Sequence, residues 1–221
     1  MNKPLKGLLS LMLHGVNDTL AIIALACVGL GAAMLITGDS VFLNFFVMAS
    51  ICVFPYIVMM RMGGATMNSW ERFQIAMPIS RRDQVNSFYV GILLASVVGI
   101  PLVALVSLTA PLLHEGIFGY QYPAMAILVT TTAVYLSMPL VMAALIFPLA
   151  VTKLGEGRGE LLFTICMFGA VGNGLLVPWL VNRFDLPMGL YLGGMLTLGV
   201  GVVAYVISYF ITQRLYAKLD F

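Results

Sequence analysis

The sequence predicts an all-α integral membrane protein with six transmembrane helices, and three observations carry that prediction. Only 9% of the 221 residues are charged, while 61% are hydrophobic and the mean hydropathy is +1.03. The apolar residues are gathered into six runs, each near the ~20 residues that a helix needs to cross a bilayer. The joints between the runs are short and polar, which leaves almost no mass for a soluble domain. Hydrocarbon offers no partner for a free backbone N–H or C=O, so such runs must be helical.

Residues 1–18 precede the first run. They hold Lys3, Lys6, His14 and Asp18 and lack a small-residue cleavage pattern, so they do not read as a signal peptide. Leu5, Leu8, Leu9, Met12, Leu13 and Val16 recur at helical spacing, with Lys6 and Ser10 outside the stripe. That pattern predicts an amphipathic helix lying in the membrane interface. The spans follow at about 19–37, 41–60, 85–108, 122–151, 161–181 and 189–212, and the chain forms a single transmembrane domain. A tight Thr-Gly-Asp-Ser joint makes the first two spans an antiparallel hairpin. Pro55, Pro101, Pro139, Pro148 and Pro178 each remove a helical hydrogen bond and favour a kink, and Gly189 and Gly193 allow close helix approach.

Orientation follows from the basic residues near the span ends. With the N-terminus inside, the inner side holds Lys3, Lys6, Arg61, Arg72, Arg81, Arg82, Lys153, Arg158, Arg214 and Lys218, and the outer side only Arg183. Ten of the eleven Lys and Arg therefore fall on one side, which places both termini in the cytoplasm. The net charge of +2 is accounted for by this bias and needs no nucleic-acid partner.

Several chemistries are disfavoured. No Asp, Glu, Lys, Arg or His lies deep in a span, whereas ion-coupled carriers and intramembrane enzymes keep such groups despite their cost. There is no His-Glu-x-x-His, no carboxylate dyad and no Ser with a plausible base, so no catalytic, cofactor-binding or metal site is expected. Cys27, Cys52 and Cys166 all fall within spans at spacings unlike a zinc site. The phosphate-cradling pattern Gly-x4-Gly-Lys-Ser/Thr is absent, and Gly155–Gly159 is a basic turn, so any ATP-driven work needs another chain. His114 beside Glu115 is the one candidate pair for the rival reading of a membrane enzyme or assembly factor acting on lipids. A secondary transporter is the other rival.

The most structured polar segment is 61–84. Asn68 caps a short helix with Glu71 three residues on, in the manner of a capping box. Trp70, Phe73 and Met77 form one apolar stripe on it, Glu71 and Arg72 flank the stripe, and Pro78 ends it. Ser80 then caps the third span, with Asp83 three residues on and Arg81 and Arg82 at the bilayer boundary. Aromatic and Arg side chains favour an interface with a partner, but the same stripe could rest among headgroups.

The segments Trp70-Glu71-Arg72-Phe73 and Met77-Pro78-Ile79-Ser80-Arg81-Arg82-Asp83-Gln84-Val85 resemble the permease subunits of ABC type-2 exporters. Phe147-Pro148-Leu149 with Lys153-Leu154-Gly155 and Gly157-Arg158 is similar to that family's stretch after the fourth span, with Leu154 departing from its aromatic. The layout of six spans and an interfacial N-terminal helix matches too. The subgroup it most resembles is the small permeases of peptide or bacteriocin export and bacitracin resistance.

The resemblance implies a non-enzymatic transport subunit in a bacterial inner membrane. It implies two separate ATPase subunits that carry ATP and Mg, and a second permease copy or a related permease. Trp70, Glu71, Arg72, Phe73, Met77, Arg81 and Arg82 would then form the ATPase-coupling segment, and Lys153, Gly155 and Arg158 a second cytoplasmic contact. The absence of buried charge suits an amphipathic or hydrophobic cargo, a peptide by family analogy.

Overall fold

The computed structural model describes residues 17–37, 45–53, 55–56, 59, 80–113, 124–150, 159–183 and 189–218. Five long helices fall within them: α1 (Asn17–Thr37), α2 (Arg81–Leu113), α3 (Ala124–Ala150), α4 (Gly159–Arg183) and α5 (Gly189–Ala217). A π-helical turn, Ala49–Val53, lies between α1 and α2. No strand occurs among the described residues. Three stretches are long and apolar enough to cross a membrane: Arg82–Leu105, Val129–Leu149 and Tyr191–Ala217, and Thr164–Leu176 is a shorter apolar stretch. The expected N-terminal interfacial helix and the short helix of the 61–84 segment lie outside the described residues.

Apart from α3, the helices overrun the apolar runs that announced them. α2 begins four residues before the apolar run at Val85 and continues to Leu113, past its expected end at Leu108. α5 continues to Ala217, past Thr212. Hydropathy marks where the hydrocarbon ends, whereas backbone hydrogen bonding continues until a cap or breaker stops it. At 33 residues, α2 is about 50 Å long, well over the ~30 Å of hydrocarbon. Its start is defined by Ser80, whose Oγ accepts from the Asp83 N–H at 3.1 Å and donates to Asp83 Oδ2 at 2.7 Å. That is the cap expected from the Ser-x-x-Asp spacing, and it satisfies one of the donors left over at a helix start.

α3 packs most extensively on α5, and α4 packs against both. α3 and α5 run parallel: Gly194 faces Thr130, and Gly201, two turns on, faces Ser137. A Cβ at Gly194 would stand 2.9 Å from the Thr130 Cα, so the seam depends on glycine there. α4 runs antiparallel to α3, with Gly169 against Leu145 and Gly174 against Met138. α2 runs antiparallel to α5, with Asn86 bonded to Tyr209 and Gln213, and Tyr89 to Ser208 and Thr212. The starts of α2 and α4 and the ends of α3 and α5 therefore share one end of the bundle. Arg81, Arg82, Arg214 and Lys218 belong to that end, and Arg183, the last residue of α4, to the other.

The π turn was not foreseen, and it has a local cause. Pro55 has no N–H to give the carbonyl of Ile51, and its ring crowds that carbonyl, so the regular ladder fails one turn before the proline. The turn lies against Gly99 of α2, where a Cβ would come within 1.9 Å of the Ser50 carbonyl oxygen. Gly99→Ala should therefore force the two segments apart and cost about 1–3 kcal/mol, as overpacking does. Gly199→Ala is the control, because no atom lies within 4 Å of that Cβ position. Thermal unfolding in detergent should show a lower midpoint for the first variant alone, and equal midpoints would contradict the close approach.

Candidate functional site

The buried polar groups concentrate where α2 meets the end of α5. Tyr205, Ser208, Tyr209, Thr212 and Gln213 fall at i, i+3, i+4, i+7 and i+8, so α5 presents them as a single stripe. α2 answers with Asn86 and Tyr89, one turn apart. The Tyr89 hydroxyl pairs with Ser208 Oγ at 2.7 Å and with Thr212 Oγ1 at 2.8 Å. The Tyr205 hydroxyl donates to the Tyr89 carbonyl. Nearer the helix ends, the Tyr209 hydroxyl donates to Asn86 Oδ1 at 2.7 Å, and Gln213 Nε2 donates to Asn86 Oδ1 at 3.2 Å and to the Tyr209 hydroxyl at 2.7 Å.

Aromatic rings enclose this network. The Tyr89 ring lies 4.9 Å from that of Tyr205 and 5.3 Å from that of Tyr209, both edge-on, and 5.0 Å from Phe147 of α3. Edge-to-face pairs at these separations add about 0.5–1.5 kcal/mol each beyond area burial. Tyr89, Tyr205, Ser208 and Thr212 are all buried. The junction thus joins α2, α3 and α5 through matched hydroxyls inside an aromatic shell.

A second, smaller polar group sits deeper in the bundle. Asn173 of α4 donates through Nδ2 to Ser137 Oγ of α3 at 3.3 Å and to the Thr197 carbonyl of α5 at 3.4 Å. It ties together the three helices that the glycine seam already brings close.

Of the residues singled out from the sequence, Arg82 is described and exposed in the first turn of α2. Arg81 is the first residue of that helix. Trp70, Glu71, Arg72, Phe73, Met77, Lys153, Gly155 and Arg158 lie outside the described residues. Asn86, Tyr89, Asn173 and the α5 stripe are not among the residues expected from the sequence, because these groups are neutral and no charge marks them within the spans. The signal was present: five polar or phenolic residues at one helical period, running out of the last apolar run.

The described residues contain no cluster of His, Cys, Asp and Glu able to hold a metal ion. Cys27, Cys52 and Cys166 are free thiols. The arrangement is a polar and aromatic link between one end of α2 and one end of α5.

The fold and this link define a multi-pass helical membrane protein with its polar chemistry turned inward. Residues 11–217 match the family model described as ABC-2 family transporter protein. The chain belongs to that family, the membrane-embedded permeases of ABC transporters, which bear no catalysis of their own and work with ABC ATPases. No curated protein and no solved structure matches it significantly.

If the junction is a coupled unit, removing the Tyr89 hydroxyl should make the Thr212 hydroxyl less valuable. A double-mutant cycle of Tyr89→Phe and Thr212→Val, read by equilibrium unfolding in mixed micelles, should give a coupling of about 0.6 kcal/mol, the average for hydrogen bonds between membrane helices, and at most about 1.7 kcal/mol. Strictly additive losses would mean that the two hydroxyls do not depend on each other.

Proposed function

We propose that this chain is the permease subunit of an ATP-driven exporter in a bacterial inner membrane. It has six spans and both termini in the cytoplasm. It pairs with a second permease copy or a related permease and with two ATPase subunits, and ATP and Mg are bound and turned over on those subunits. The cargo is amphipathic or hydrophobic, a peptide on family analogy. The chain itself makes and breaks no bonds.

One observation carries this reading: the segment 61–84 leads straight into α2, and α2 is joined to α5 within its first three turns. The segment 151–158, with Lys153, Gly155 and Arg158, connects the end of α3 to the start of α4 at the same end of the bundle. Both segments singled out as ATPase contacts therefore connect to helix ends on the basic side. Trp70, Phe73 and Met77 would seat the short helix in a groove of the ATPase, with Glu71, Arg72, Arg81 and Arg82 at its rim. When ATP closes the ATPase pair, a displacement there would enter α2 and pass through Asn86 and Tyr89 to α5.

Topology can be tested apart from coupling. In a background without native cysteines, single cysteines replacing Thr66 or Gly157 should resist impermeant thiol reagents in intact cells, whereas one replacing Gly119 should react. Labelling at Thr66 from outside would invert the protein and remove the docking surface from the ATPase.

The coupling contact itself is tested by Trp70→Ala with Phe73→Ala. Loss of an aromatic anchor costs ~2 kcal/mol or more, which is roughly a 30-fold weaker dock. The variant should insert normally and retain much less ATPase on co-purification. An unchanged ATPase yield would end this reading of the 61–84 segment.

A further inference from the structure

At the basic end of the bundle a groove of about 360 Å³ opens between α2 and α5, lined by Arg82, Val85, Gln213, Tyr216 and Ala217. Its wall on α2 is cationic. Arg82 is exposed and makes no hydrogen bond or ion pair with a described residue. The acid beside it, Asp83, is held by Ser80 at 2.7 Å and faces the helix cap. The floor is Val85, which is wholly buried. Gln213 on the far wall is fixed by its bonds to Asn86 and Tyr209, so the groove has a defined edge.

The groove is not isolated from the lipid-facing surface. Ala217 and Gln213 continue along α5 as Phe210, Val206 and Val203, at alternating spacings of four and three, which is one strip of the helix. Those three apolar residues are 57%, 47% and 58% exposed, so a ligand seated at Arg82 would have an open apolar track beneath it. A guanidinium presents a planar fork of donors that matches a phosphate. A phosphate carrying an acyl chain uses both the fork and the track, whereas free phosphate uses only the fork.

We propose that this groove binds an anionic phospholipid of the adjoining leaflet, with Arg82 on the headgroup phosphate and an acyl chain along Phe210, Val206 and Val203. Arg214 and Lys218 add positive potential at the same end and favour a headgroup with net negative charge. The bound lipid would bridge the first turn of α2 and the last turns of α5, beside the Asn86–Gln213 link. The inference depends on the membrane setting and shares Arg82 with the rim of the proposed ATPase contact, so the lipid titration is made on the chain without its ATPase, while the Trp70→Ala, Phe73→Ala co-purification tests the other reading separately.

The test uses the purified full chain, without its ATPase, in a non-ionic detergent. Phosphatidylglycerol, phosphatidylcholine and inorganic phosphate are titrated separately while the thermal midpoint is followed. Phosphatidylglycerol should raise the midpoint, phosphatidylcholine should raise it less, and inorganic phosphate should leave it unchanged. Arg82→Gln should weaken half-saturation by phosphatidylglycerol at least fivefold, whereas Arg214→Gln, exposed and outside the groove lining, should weaken it less than twofold. Ala217→Phe fills the groove and keeps Arg82, and it should give the same loss, so the result does not rest on one variant folding. Equal weakening by Arg82→Gln and Arg214→Gln would reduce the effect to diffuse surface charge and overturn the site. Equal stabilisation by inorganic phosphate, or by phosphatidylcholine, would overturn the assignment to an anionic lipid.

Discussion

Hydrocarbon supplies no hydrogen-bond partner, so polar groups inside the spans are driven to find one within the protein, and among the described residues Ser50 Oγ is the buried polar side-chain atom that has none. α5 shows how far that requirement shapes the chain. Its buried positions, Gly193, Gly194, Thr197, Gly201, Tyr205, Ser208 and Thr212, are glycine or polar, while its exposed face carries Met195, Leu196, Val200, Val203, Val206, Ile207, Phe210 and Ile211. The amphipathy is inverted relative to a helix in water. Lone hydroxyls are settled on their own helix: Ser96 donates to the Ile92 carbonyl at 2.8 Å and Thr197 to the Gly193 carbonyl at 2.7 Å. Where several polar side chains fall together, as in the α5 stripe, one helix cannot satisfy them all, and a second helix must come close enough to do so.

That need explains why the bundle is joined differently in its two regions. Between α3 and α5 the contact is made by subtraction: Gly194 and Gly201 remove side chains, and the backbone of α5 lies directly on Thr130 and Ser137. Between α2 and α5 the contact is made by addition, with three tyrosine rings and an amide pair filling the gap. Packing of the first kind loses its fit on a small shift, because there is no side chain to adjust. The second kind holds through long side chains that can rotate while keeping their partners. A displacement arriving at the start of α2 therefore meets its most adaptable contact first and its most rigid seam behind it.

Much of this was legible in the sequence, and what was missed was missed for physical reasons. The six apolar runs announced helices, and those found within them are α1 to α5, because lipid leaves a long apolar run no other regular structure. The Ser80–Asp83 cap was readable from spacing, since such a cap is local and needs no tertiary partner. The ends of α2 and α5 were placed short, because polar residues stop a hydropathy run without stopping a helix. The π turn depended on two facts far apart in the chain: Pro55 was visible, but the glycine at position 99 that lets α2 lie against it had no local signature. The α2–α5 junction was visible as a period in α5, yet its meaning depended on α2 arriving opposite it, and that is a fact of the fold.

The same physics bears on how a membrane subunit without buried charge could take up work done by another protein. Charged switches are costly in lipid, at ~2.5–3.5 kcal/mol per group even on insertion scales. Neutral hydroxyls and amides can exchange partners for much less, about 0.6 kcal/mol per interhelical bond on average. Tyr89 meets two hydroxyl partners, Ser208 and Thr212, which stand one helical turn apart on α5. A small slide of α2 along α5 would lengthen one of these bonds while keeping the other, so the Tyr89 hydroxyl would keep a partner. Asn86 stands in the same relation to Tyr209 and Gln213. Two such doubled contacts, one turn apart on α2, form a track along which the helix could move with little change in energy. The glycine seam between α3 and α5 keeps the surface it moves against in place.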